Sequence, residues 1–203
     1  GVKCTVCEEI VTEQEIIPAN GHTEQIIPGK TPTCTEEGLS DGVKCTVCEE
    51  ILIEQQVLPA SHTYENGFCI LCDAYEPARL NDEGIYEIDN AGKLYWFAAL
   101  VNGGERSANA VVTKDITVNE SVLVDGALNG DGSNFRLWTP IGTEASKGYA
   151  GIFDGQDHTI SGLYYDSALY GGGLFVYTGA SAVIKDLKLT NSYIRSTHGA
   201  EWS

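Results

Sequence analysis

Short apolar segments separated by polar and glycine-rich stretches run through the chain, and one stretch carries helical spacing. Leu94, Phe97, Leu100 and Val101 recur near helical intervals, Asp89-Asn90 can cap the start, and Gly103-Gly104 stops the run, so a helix is predicted over 91–102. After it the pattern turns to short β segments broken by glycine, at 110–112, 116–118, 122–124, 159–165, 174–177 and 183–189. Gly151-Ile-Phe153 returns as Gly173-Leu-Phe175 and Ile160-Ser-Gly-Leu163 as Ile184-Lys-Asp-Leu187, a period of 22 to 24 residues. Such a period predicts a β-solenoid of about three to four coils, with the helix over 91–102 covering the edge of the first coil.

The first part of the chain repeats at a longer interval. Gly1-Val-Lys-Cys4-Thr-Val-Cys7-Glu-Glu-Ile10 recurs as Gly42-Val-Lys-Cys45-Thr-Val-Cys48-Glu-Glu-Ile51, an offset of 41 residues, and His22-Thr23 recurs as His62-Thr63. A shortened third copy begins at Gly67-Phe-Cys69-Ile-Leu-Cys72. Each unit reads as a Cys-x-x-Cys turn followed by extended segments such as Ile10-Val11 and Ile16-Ile17-Pro18. A boundary falls near Ala74-Tyr75-Glu76-Pro77, giving tandem modules over 1–74 (about 1–41 and 42–74) and a second region over 75–203. About 40 residues bury little core, so each module needs a staple.

The composition narrows the partners. The 203 residues carry 12 Lys plus Arg against 29 Asp plus Glu, a formal charge of −17, which argues against nucleic acid and anionic membranes. No apolar run is long enough to cross a bilayer. There is no Met and no signal-peptide pattern, which reads as an internal piece of a longer polypeptide.

All seven cysteines precede Tyr75, and their chemistry admits two readings. Thiolates and imidazoles hold Zn²⁺ tetrahedrally, and a Cys-x-x-Cys turn offers two sulfurs to one ion. In one ligand frame Cys34, Cys45, Cys48 and His62 form a site, with Cys4, Cys7 and His22 a truncated copy and Cys69 and Cys72 left over. In the other, Cys4, Cys7, His22 and Cys34 form one site, and Cys45, Cys48, Cys69 and Cys72 a zinc-ribbon-like second. Disulfide stapling is the competing account, weakened by the odd cysteine count and by the small ring a Cys-x-x-Cys bridge closes.

Other candidates are sparser. Asp154, Asp157 and His158 could serve acid–base chemistry on a glycoside, but Asp-Gly and Gln-Asp-His read better as a strand corner. The loop from Asp125 to Asn134 is rich in oxygen ligands and glycine, a weak Ca²⁺ candidate that lacks the EF-hand order. Tyr164, Tyr165, Tyr170 and Tyr177 could line a sugar-binding face. His198 and Trp202, near the end of the chain, carry no reading.

At these phrases a family resemblance appears. Trp138-Thr-Pro-Ile-Gly142, Gly151-Ile-Phe-Asp-Gly-Gln-Asp-His-Thr-Ile-Ser-Gly-Leu163, Gly173-Leu-Phe175 and Ala182-Val-Ile-Lys-Asp-Leu-Lys-Leu-Thr-Asn-Ser192 resemble the GLUG-repeat bacterial cell-surface proteins. The Cys/His repeats resemble modules of large surface proteins of gut Gram-positive bacteria. The resemblance implies an extracellular, cell-surface location and a right-handed parallel β-helix. The expected fold is therefore all-β: small zinc-ribbon-like Cys/His modules, then the capped N-terminal part of that β-helix. The expected function is a non-catalytic adhesion, binding or spacer region whose partner is a host or matrix glycan or protein. A β-helix carbohydrate-active enzyme using Asp154 to His158 and a zinc-stabilised protein-interaction module are the alternatives.

Overall fold

In the computed structural model the described residues are 1–13, 15–16, 21–169 and 171–197. The chain divides into two units, Gly1–Ser61 and His62–Ser203, so the second unit already contains the last Cys pair.

Seven short strands are described in the first unit: β1 (Val2–Lys3), β2 (Ile10–Thr12), β3 (Glu24–Ile27), β4 (Gly38–Leu39), β5 (Gly42–Cys45), β6 (Ile51–Ile53) and β7 (Val57–Leu58). All pair antiparallel, in the sheets β1-β2, β3-β5-β6 and β4-β7. The sequence repeat is a structural repeat. Val2 faces Thr12 and Lys3 faces Ile10, with a bulge between; 41 residues on, Val43 faces Ile53 and Lys44 faces Ile51, with the bulge in the same place. Each hairpin closes over its Cys-x-x-Cys turn by the same pair of bonds. The N–H of Cys4 or Cys45 donates to the carbonyl of Glu9 or Glu50, and that of Glu8 or Glu49 donates back to the first cysteine's carbonyl. Among the described residues of this unit, Cys45 is the single buried apolar side chain, while Val2, Ile10, Ile26, Ile51 and Ile53 are all exposed.

The second unit holds the hairpin strands β8 (Tyr64–Glu65) and β9 (Phe68–Cys69), then β10 (Arg79–Leu80) and β11 (Tyr86–Ile88). Helix α1 (Ala91–Asn102) follows, and after it β12 (Ala110–Val112), β13 (Ile116–Thr117), β14 (Leu123–Val124), β15 (Ala127–Leu128), β16 (Ile152–Asp154), β17 (Thr159–Ser161), β18 (Tyr164–Ser167), β19 (Val183–Lys185), β20 (Lys188–Thr190) and β21 (Tyr193–Ser196). They form several small sheets. One is a mixed five-stranded sheet in the order β10-β11-β12-β16-β19, antiparallel at its first pair and parallel beyond. The others are β13-β17-β20 and β18-β21, both parallel, and the antiparallel hairpins β8-β9 and β14-β15.

This corrects the expected fold. The chain is β-rich with a helix in its core, built of small antiparallel, parallel and mixed sheets, and no β-helix solenoid is detected among the described residues. The 22-to-24-residue period does not describe the pairing. Ile160 faces Leu189 rather than Ile184, and Ile184 faces Phe153. The segment 174–177 forms no ladder; Phe175 makes an isolated bridge with Ile141, and its ring meets Phe153 edge-on. Leu94, Phe97 and Val101 are fully buried, and the helix forms a common core with Ile88, Val112, Trp138, Tyr149, Phe153 and Ile160.

Asn90 caps α1 by accepting from the Lys93 N–H. Aromatic rings then knit the core: Tyr95 meets Trp138 edge-on at 4.9 Å, and Phe97 meets Phe153 at 5.9 Å. The polar tips find partners, as the Trp138 indole N–H donates to the Gly173 carbonyl and the Tyr95 hydroxyl to the Leu137 carbonyl. The start of α1 lies directly on the turn between β8 and β9. There the Gly92 N–H donates to the Asn66 carbonyl, and a Cβ on Gly92 would run into the backbone of Gly67, itself at φ +78°.

Two stability predictions follow from this packing, both readable by fluorescence, since Trp96 and Trp138 lie in the second unit. Gly92→Ala should destabilise that unit by about 1–3 kcal/mol in urea unfolding despite alanine's better helix propensity, because backbone must move to admit the methyl. Phe153→Ala should cost about 3–5 kcal/mol through the cavity it leaves beside Phe97 and Phe175.

Candidate metal centres

The strand after each histidine pairs with the strand that enters the next Cys-x-x-Cys turn. In the first unit β3, two residues past His22, pairs with β5 so that Glu24 faces Cys45 and Ile26 faces Val43. The Thr46 N–H donates to the Thr23 carbonyl and locks this register at the turn. The second unit repeats the arrangement, with Tyr64 facing Cys69, Glu65 facing Phe68, and the Ile70 N–H donating to the Thr63 carbonyl. Because a ladder fixes both register and separation, each pairing brings an imidazole to a pair of sulfurs.

The resulting groups are His22 with Cys45 and Cys48, and His62 with Cys69 and Cys72; in each the donor atoms lie within 4.8 Å of one another. The His22 Nδ1 is 3.4 Å from the Cys48 sulfur and the His62 Nδ1 is 3.5 Å from the Cys72 sulfur. Tetrahedral zinc with ordinary Zn–S and Zn–N bonds separates nitrogen and sulfur by about 3.6 Å. Both groups can hold a metal ion such as zinc. The outer nitrogen of His22, Nε2, lies 3.8 Å from a Glu50 carboxylate oxygen, the kind of partner that orients a ligating imidazole.

The electrostatics match a thiolate centre. Backbone N–H groups of Cys48 and Val47, with His22 beside them, bring the Cys45 thiol down to about 6. The Cys45 sulfur in turn raises the His22 imidazole above its ordinary value. Cys4 is lowered as well, chiefly by the Cys7 N–H, which donates to its sulfur at 3.4 Å. No third metal donor joins Cys4 and Cys7 among the described residues. Cys34 lies half-buried in the first unit. All seven cysteines are among the described residues, and no disulfide joins them.

Both ligand frames drawn from spacing put His22 with Cys4 and Cys7, and the one that used His62 put it with the Cys45 and Cys48 pair. The deciding signal was present in the repeat: His-Thr is followed by an extended segment that can pair with the next copy of the Cys strand. Spacing counts residues along the chain, whereas pairing partners are set across it.

The weaker candidates resolve differently. Gln156 and Asp157 both take positive φ (45° and 63°), forming the expected corner. Asp154 accepts from the Gln156 N–H and pairs with Lys185 at 2.7 Å, which holds its carboxyl below the usual range. His158 meets Asp115 at 3.2 Å, and the same Asp115 oxygen accepts the Thr159 N–H. In the Asp125–Asn134 loop, Asp125 and Gly126 have φ of 51° and 80° and turn the β14-β15 hairpin. Asp131 is engaged by the N–H and hydroxyl of Ser133. The Ca²⁺ candidate is thus a hairpin turn plus an Asx turn, and Asp-Gly between apolar pairs was the missed signal. Tyr164 and Tyr165 are buried, so they form no open sugar-stacking face; Tyr177 is half-buried. Tyr170, His198 and Trp202 lie outside the described residues.

No helix among the described residues is long and apolar enough to cross a membrane. Compared with models of protein families, with curated proteins and with solved structures, the chain matches none.

Proposed function

We propose that the chain is a non-catalytic module in which structural zinc, held by His22, Cys45 and Cys48 and by His62, Cys69 and Cys72, fastens one Cys/His repeat to the next, serving as a spacer or binding region of a larger extracellular protein. The observation that carries this is the twofold recurrence of one device: a His-Thr strand laid against the following Cys-x-x-Cys hairpin. Structural zinc sites are closed by four protein donors. The extracellular placement draws on the resemblance of the 138–192 phrases to GLUG-repeat surface proteins. The carboxylates at 154–157 support the non-catalytic side, since Asp154 is bonded into its own corner and to Lys185.

Protein purified without chelator should carry about two zinc ions per chain by elemental analysis. Cobalt substitution should give the charge-transfer bands of thiolate ligation. Stripping the metal should unfold the first unit, seen as lost amide-exchange protection over residues 21–58, while Trp fluorescence of the second unit's core is retained. His22→Ala and Cys48→Ser should each remove one ion. Metal-free protein with oxidised thiols would replace zinc by disulfides and end this reading.

The corner carboxylate gives an independent check. Asp154→Asn should lower the second unit's stability at pH 7 by about 1 kcal/mol or less, because the Lys185 pair is partly exposed. A carboxylate depressed in the folded state stabilises above its unfolded value, near 4, and loses that contribution as pH falls through its folded value. The difference between variant and parent in urea unfolding should therefore shrink below about pH 4.

A further inference from the structure

We infer that the first hairpin, β1-β2 with Cys4 and Cys7, is an acceptor for a His-bearing strand of the same repeat type, supplied by a polypeptide segment other than the strands of this chain or of a second copy of it, captured jointly by zinc and by strand pairing. This rests on the zinc reading above.

The argument is a comparison of three like hairpins. β5-β6 and β9 each receive a strand that follows a His-Thr pair, and each thereby gains an imidazole. β1-β2 has the register and bulge of β5-β6 and the same turn bonds, yet among the described residues its sheet has two strands only. No described residue stands to Thr5 as Thr23 stands to Thr46, and no imidazole stands with Cys4 and Cys7. The uncovered state shows in the burial. Cys45 is 1% exposed while Cys4 is only half-buried, and Val2 is 60% exposed where Val43 is half-buried beneath β3.

The surface left open fits one occupant. A groove of about 470 Å³ runs along the hairpin, lined by Gly1, Val2, Lys3, Ile10, Thr12 and Glu13. An incoming segment in the β3 register would set an acidic residue opposite Cys4, an amide opposite Lys3 and a β-branched residue on Val2, as Glu24, Gln25 and Ile26 do on Cys45, Lys44 and Val43. Its histidine would reach both sulfurs, and its outer nitrogen would meet Glu9, the counterpart of the Glu50 carboxylate beside His22. The complementarity is thus a histidine and a carboxylate, two thiolates and one ion, and an apolar pair. The His-Thr strands of the two Cys/His repeats are already engaged, by β5 and by β9, and the third His-Thr, His158-Thr159, opens β17, which is paired on both sides by β13 and β20, so the occupant comes from elsewhere.

The test uses the full zinc-loaded chain and a synthetic peptide of residues 21–30, followed by isothermal titration calorimetry and metal counting. The peptide should bind one to one, raising the zinc content from about two to about three ions per chain. Binding should weaken at least about tenfold with a His22→Ala peptide. It should also be lost in a Cys4→Ser/Cys7→Ser chain that still carries its two internal ions, which keeps a failure to fold separate from a failure to bind. No uptake by a chain with both internal ions in place overturns this inference and leaves the zinc reading standing. Internal groups that hold no zinc overturn both. A zinc-dependent dimer of the chain alone, with no peptide uptake, also overturns it, because β3 of a second copy would then be the occupant.

Discussion

Among its described residues the first unit buries a single apolar side chain, the thiol of Cys45, and everything else about that unit follows from this poverty. Hydrophobic burial supplies most of the free energy that offsets chain entropy, and here there is almost none to draw on. Ladder hydrogen bonds alone contribute little net stability, since water competes for the same groups. A two- or three-stranded sheet with isoleucines on its open face is therefore marginal without an added constraint. A metal ion gripping Cys45, Cys48 and His22 is such a constraint, because its binding free energy is available only to the folded arrangement. The second unit has no such need: its helix, Trp138, Tyr149 and Phe153 supply an ordinary aromatic core.

The metal groups depend in turn on strand register. His22 reaches Cys45 and Cys48 because Glu24 sits opposite Cys45; a slip of one residue would turn the sheet face over and carry the imidazole away. The Thr23–Thr46 bond at the turn fixes that register at the point where error would matter most. It recurs as Thr63 with Ile70 although the residue after the first cysteine differs, because the bond uses backbone atoms on both sides.

Much of this was legible in the sequence, and the misses share one physical cause. The 41-residue repeat, the hairpin turns and the span of α1 from Ala91 to Asn102 could be read because they are set by local spacing, turn chemistry and capping at Asn90. The corner at Gln156 and Asp157 was readable for the same reason. What failed was long-range pairing. Gly151-Ile-Phe153 and Gly173-Leu-Phe175 look alike, but Phe153 pairs with Ile184, and Phe175 instead packs edge-on against Phe153 from another segment. Similar phrases reflect similar local demands and carry no information about which strand lies alongside. The two ligand frames likewise joined each Cys-x-x-Cys pair to donors by intervals along the chain, whereas the histidines meet their Cys-x-x-Cys pairs across strands.

A metal that takes its ligands from successive repeats does something a metal enclosed within one repeat cannot. If Cys4, Cys7 and His22 had formed a closed site, each repeat would stand alone and its neighbour would gain nothing from it. Taking the histidine from one copy and the thiolates from the next makes the ion part of the contact between copies, so the favourable free energy belongs to the junction. That division suits a sequence whose individual repeats bury almost nothing. With an ion held there, each copy could remain small and exposed because cohesion would reside where two copies meet, and the exposed isoleucines of β3 and β6 would not be what holds the sheet together.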